Sequence, residues 1–74
     1  MTAPDLAAVG ARIRAARIAA GLSQVALGRA LRVNHRQVRR WESGQIADLS
    51  GLRHVAALLG VDEQQLAGRG GEAP

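Results

Sequence analysis

The chain has 74 residues, carries ten Lys+Arg against six Asp+Glu for a net charge of +4, and contains no cysteine. A domain of this size buries only about 60% of the surface its unfolded chain exposes, which leaves room for one core and none for a deep substrate pocket. The lack of cysteine excludes disulfides and thiolate metal sites, no apolar run approaches the roughly 20 residues of a membrane span, and the acid-bearing start MTAPDL does not read as a signal peptide.

A soluble, cytoplasmic protein stabilised by helix packing is therefore expected. All ten basic residues are arginine, and the abundance of Ala, Gly and Arg fits a GC-rich genome. The charge is one-sided. From Leu6 through Trp41 there are eight arginines and no acid; from Glu42 onward there are five acids and two arginines. Such a distribution points to a polyanion met by the first half, against the plainer reading of a solvated basic surface.

In chain order, Pro4 to Ala20 predicts helix 1, preceded by Thr2 or Ala3, with Pro4 and Asp5 suited to its first turn. Leu6, Val9, Ile13, Ala16 and Ala20 recur at three- and four-residue steps and share one face, and Gly21 is a stop. Gly10 either weakens this helix slightly or lets a neighbour approach closely. Ser23 is expected to cap helix 2, from Gln24 to Leu31, with Val25 or Ala26, Leu27, Gly28 and Leu31 facing inward. Arg32 and Val33 make the turn. Asn34 then caps helix 3, from His35 to about Ser43, with Val38 and Trp41 on its apolar side and His35, Arg36, Gln37, Arg39 and Arg40 on polar ones.

Gly44 ends that helix, and Gln45, Ile46 and Ala47 form a loop. Asp48 is expected to cap helix 4, from Leu49 to Leu59, whose stripe is Leu49, Leu52, Val55, Ala56 and Leu59. After Gly60, residues Val61 to Leu66 give one last capped turn or a short helix 5, with Val61 and Leu66 anchoring it. There is no internal repeat and no β-alternation. The fold class is all-α, a compact bundle of four to five short helices, with residues 1–67 as the folded domain and 68–74 as a Gly-rich, disordered tail.

The stretch RIRAARIAAGLSQVALGRALRVNHRQVRRWESG, continued by LRHVAALLGV, resembles the lambda-repressor/Cro-like helix-turn-helix family, also called XRE, over about 60 of the 74 residues. The resemblance rests on the joint spacing of Arg17, Gly21-Leu22-Ser23-Gln24, Leu27, Val38, Trp41-Glu42, Gly44 and Leu59-Gly60-Val61. It implies that helix 3 enters the major groove of double-stranded DNA with its N-terminal part toward the base edges. Asn34, His35, Arg36 and Arg40 occupy the family's base-reading places, and Gln37 lies between them, able to reach a base or a phosphate. Arg36 and Arg40 suit guanine, because a guanidinium donates two hydrogen bonds to O6 and N7.

Ser23, Gln24, Arg39 and Ser43 are the expected phosphate contacts, and Arg17 with Glu42 matches a structural salt bridge between helices 1 and 3. Three positions depart from the family pattern. Arg32 stands where a turn glycine with positive φ is usual. Gly28 replaces an alanine, a change conservative in size, and a small residue here lets the next helix cross closely. The loop Gln45-Ile46-Ala47 lacks phosphate-gripping basic residues and is one residue short.

The leading expectation is a sequence-specific DNA-binding transcriptional regulator, such as a repressor, acting as a homodimer on a pseudo-palindrome. Helix 4, helix 5 and the loop would form the dimer surface, with Ile46, Leu58 and Leu66 leaving apolar area. The alternatives are the antitoxin of a toxin–antitoxin pair, which brings a protein partner, and a protein-interaction adaptor of the same fold. Arg12, Arg14 and Arg29 divide between phosphate contact and plain solubility, and His54 is a surface or interface residue. His35 and His54 have no metal-ligand spacing with carboxylates, and no nucleophile–base pair or phosphate loop appears, so no metal, no cofactor and no enzymatic activity is expected.

Overall fold

Asp5 begins the first helix. Its carboxylate accepts the Ala8 amide at 3.2 Å, and α1 follows over Leu6–Ala19. The computed structural model describes residues 5–68, so Thr2, Ala3 and Pro4 lie outside the described residues. The helix starts later than its pattern predicts because a short carboxylate with an extended backbone is a better cap than a helical residue. Val9 and Ile13 are buried on the inner face. Ala20, expected there too, is the exposed C-cap instead, and the buried Arg17 takes part of that face.

Ser23 caps α2 (Gln24–Leu31) by accepting the Ala26 amide at 3.0 Å. Leu27 is fully buried; of the two alternatives beside it, Ala26 is half-buried and Val25 is exposed. Asn34 caps α3 (His35–Glu42), and Ser43 is its C-cap. The expected continuous helix over Leu49–Leu59 is broken. Leu49–Gly51 form a 3₁₀ turn and α4 spans only Leu52–Leu59. The cause is Asp48, whose carboxylate takes both the Ser50 amide and the Ser50 hydroxyl at 2.9 Å and so tightens this turn.

The Ser50 amide, and then its hydroxyl, hold the Asp48 carboxyl below its usual 3.8. A depressed carboxyl stabilises the fold above its unfolded value, and that contribution is lost as pH falls through the lowered one.

Gly60 turns left-handed at φ 73°, and α5 (Glu63–Ala67) opens with a capping box between Asp62 and Gln65. Gly68 is buried and closes α5 in the left-handed region, its amide on the Gln64 carbonyl at 2.9 Å. The rest of the expected tail, residues 69–74, lies outside the described residues.

The core is shared by all five helices and by the loop after α3. Ile46 and Leu66 belong to it, at 9% and 2% exposure, and offer no surface to a second copy. Ile46 is folded in by the bond of its amide to the Gly44 carbonyl, and Leu66 by the packing of α5 on α4 and α1. Leu58 alone of the expected trio stays outside, 41% exposed.

The α1–α3 crossing depends on Gly10. A Cβ there would collide with the Trp41 carbonyl oxygen and stand 2.7 Å from that of Glu42. Gly51, by contrast, has open space and φ −79°. Gly10→Ala is therefore expected to lower stability by about 1–3 kcal/mol through overpacking. Gly51→Ala should raise it by about 0.4–1 kcal/mol through the unfolded chain. Urea denaturation of the two variants beside the parent checks both signs.

Candidate nucleic-acid interface

The turn between α2 and α3 sets the angle of α3. Arg32 caps α2 at φ 60°, ψ 41°, and among the described residues it is the only non-glycine with positive φ. A side chain in that region costs about 1 kcal/mol, so the turn is held by its surroundings. The Val33 amide bonds to the Gly28 carbonyl at 2.8 Å. A Cβ on Gly28 would stand 2.8 Å from the Val33 carbonyl oxygen and 3.3 Å from the His35 amide nitrogen. The close crossing expected at Gly28 is present: the turn folds over the space a methyl would fill, so the exchange of alanine for glycine, small in size, matters for the packing.

With α3 seated by that turn, its residues sort by angle. Val38 is fully buried, and Trp41 packs partly buried against the core. At about 100° per residue, Arg36 and Arg40 each lie about 160° from Val38, one turn apart on the outward face. Both are exposed, as are His35 and Arg39, while Gln37 is half-buried on one flank. The helix thus presents a strip of guanidinium and imidazole groups on a backbone fixed from behind.

Asn34 carries a structural duty beside any contact. Its Oδ1 accepts the Arg36 amide at 2.8 Å, which leaves the Nδ2 group to donate outward. Ser23 is similar: its hydroxyl oxygen accepts the Ala26 amide, and the hydroxyl proton remains for an anion. Ser43 differs. Its Oγ donates to the Arg40 carbonyl at 2.8 Å, so it must rotate away before it can donate to a phosphate.

Behind this face lies a charged cluster joining three helices. Arg17 Nε donates to Glu42 Oε2 at 2.6 Å and Nη2 to Oε1 at 3.3 Å, while Nη1 donates to the Leu22 carbonyl at 2.7 Å. The two side chains are only 11% and 5% exposed. Gln24 Nε2 donates to Glu42 Oε1 at 3.1 Å. Its amide is therefore engaged with the ion pair, a link that sequence spacing did not reveal: the partners are 18 residues apart, and no periodicity connects them. The only signal was that Gln24 begins α2 and Glu42 ends α3, at the far ends of the two helices that the turn joins.

Other residues stand apart. Arg14 and Arg29 are exposed. Arg12 is half-buried, and its guanidinium covers Gly68 so closely that a Cβ there would lie 2.8 Å from Cζ. That places a cation at the C-terminal end of α5, a role that sequence reading missed. Gln45 and Ala47 are exposed and bring no positive charge to the loop. His54 is exposed on α4. Among the described residues no cluster of His, Cys, Asp or Glu is placed to hold a metal ion, and no helix is long and apolar enough to cross a membrane.

Comparison with family models matches the helix-turn-helix domain over residues 8–67, which is 60 of the 74 residues. The chain belongs to that helix-turn-helix domain family, in keeping with its resemblance to the lambda-repressor/Cro-like group. No curated protein and no solved structure matches it. At the level of the family, the domain is a DNA-binding module of a regulator, a class that is typically not enzymatic.

Two stability predictions come from this region. Arg32→Gly should raise stability by about 1 kcal/mol by releasing the left-handed backbone, read as a higher midpoint in urea. Arg17→Ala strands the Glu42 carboxylate and should cost about 3 kcal/mol. Differential scanning calorimetry checks the latter; an unchanged transition would mean that the bridge is absent in solution or too exposed to matter.

Proposed function

We propose that the protein is a sequence-specific DNA-binding transcriptional regulator that inserts α3 into the major groove. The observation that carries this reading is the outward face of α3, where Arg36 and Arg40 stand opposite the buried Val38. Two guanidiniums one helical turn apart match the bidentate donors that guanine O6 and N7 require. Asn34, His35 and Gln37 flank them as further base readers. Ser23, Gln24, Arg39 and Ser43 supply backbone contacts that fix register. The seven arginines between Leu6 and Trp41 other than the paired Arg17 add a favourable, salt-sensitive attraction to the polyanion.

In this reading the protein acts in a bacterial cytoplasm, as a repressor, and as a homodimer on two half-sites about one DNA turn apart. With Ile46 and Leu66 in the core, the second copy is left with the outer side of α4 around Leu58. No observation favours an antitoxin or an adaptor over a regulator.

Arg40→Ala should weaken binding to the preferred duplex by about 1–3 kcal/mol and relax preference at one base position. Arg39→Ala should weaken all duplexes alike and shallow the salt dependence. Fluorescence anisotropy on a panel of single-base variants separates the two patterns. Uniform weakening by Arg40→Ala would assign that residue to phosphate.

A further inference from the structure

Glu42 does more than close an ion pair. Its carboxylate accepts hydrogen bonds and donates none, and its Oε1 is shared between Arg17 and Gln24. Facing that oxygen, Gln24 must present its NH2 group, since its carbonyl oxygen would be repelled. The chemistry of the partner thus fixes which end of the amide points inward. The second proton on Nε2 is left for an outside acceptor. Gln24 is half-buried in the first turn of α2, directly after the Ser23 cap, so its direction is limited as well.

A bare carboxylate at this place would also repel a phosphate. Arg17 cancels that charge through two contacts to the same group. The cluster as a whole is neutral, anchored on α1, and ends in one oriented amide on α2.

We propose that Glu42 is a positioning residue for DNA binding: held and neutralised by Arg17, it fixes the Gln24 side-chain amide to donate to a DNA phosphate. The proposal rests on the DNA-binding reading above and adds a specific coupling to it. A structural ion pair would affect DNA only by unfolding the chain. A positioning carboxylate acts through Gln24 in the fully folded protein.

The test is a double-mutant cycle on affinity for a mixed-sequence duplex at low salt, because a phosphate contact does not depend on sequence. Glu42→Asp keeps a negative charge beside Arg17 but draws the carboxylate back by one methylene, away from Arg17 and Gln24 alike, so the Gln24→Ala background isolates the part that acts through Gln24. It should weaken binding about three- to tenfold, the scale set by freeing one ordered side chain. In the Gln24→Ala background the same change should have no further effect. Equal weakening in both backgrounds, or none in either, overturns the proposal.

A second measurement uses the protein without DNA and covers the case in which Glu42→Asp folds poorly. In the parent chain the NMR signals of the Gln24 side-chain NH2 should show slowed exchange and a shifted proton, distinct from those of the exposed Gln45 and Gln64. Gln24 signals that match those glutamines overturn the positioning role. If the Gln24 amide is held but the parent binds no duplex, the DNA-binding reading fails, and the phosphate role fails with it.

Discussion

The fold depends on how closely the backbone of α3 is held at both of its ends. At its C-terminal end the carbonyls of Trp41 and Glu42 lie where a side chain on Gly10 would be. At its N-terminal end the Val33 carbonyl and the His35 amide close over Gly28 in the same way. Two glycines on two different helices thus let α1 and α2 grip α3 by its main chain. Fully buried Val38 locks its rotation. A short helix of low intrinsic helicity, with three arginines and two histidine or glutamine neighbours, becomes a rigid support only through such contacts. The outward direction of Arg36 and Arg40 follows from that grip.

Electrostatics follows the same geometry. The arginines of the first half sit mostly on the outside, and the exception, Arg17, is buried against Glu42 and the Leu22 carbonyl. A buried pair of this kind is weak evidence of net stability, since desolvation opposes its attraction. Its geometry is more telling than its energy. Glu42 ties α1, α3 and the start of α2 into one cluster, and among the described residues no buried side-chain polar atom lacks a partner. The positive field around α3 therefore has no unpaired acid from the helix itself to weaken it.

Much of this was legible in the sequence, for physical reasons that can be named. The bounds of α2 follow from Ser23, a cap that needs only its own hydroxyl, and from a four-residue apolar step ending at Leu31. The stripe of α4 was legible because Leu52, Val55, Ala56 and Leu59 face one core. What escaped is tertiary or depends on competing local bonds. The break at Gly51 arises because Asp48 binds Ser50 twice, which no apolar period reports. Ile46 reads as surface because it stands in a short loop with no periodic partner, and Leu66 reads both as an anchor of its turn and as dimer surface; both are core. Gly10 left two readings open that only a crossing partner decides. On the α3 face, sequence pattern placed the arginines on polar sides. The Asn34 and Ser43 hydrogen bonds, which decide which of their atoms can still donate, required coordinates.

Whether α3 reads bases from its fixed support is open to direct measurement. The most direct measurement is selection from random duplexes, followed by titration of the selected duplex and a scrambled one at several salt concentrations. A base-reading α3 should select a duplex with guanines at defined positions, bound far more tightly than the scrambled duplex, with a preference that survives as salt rises. Equal binding to both that vanishes with salt would mean attraction to the backbone alone and would contradict base reading.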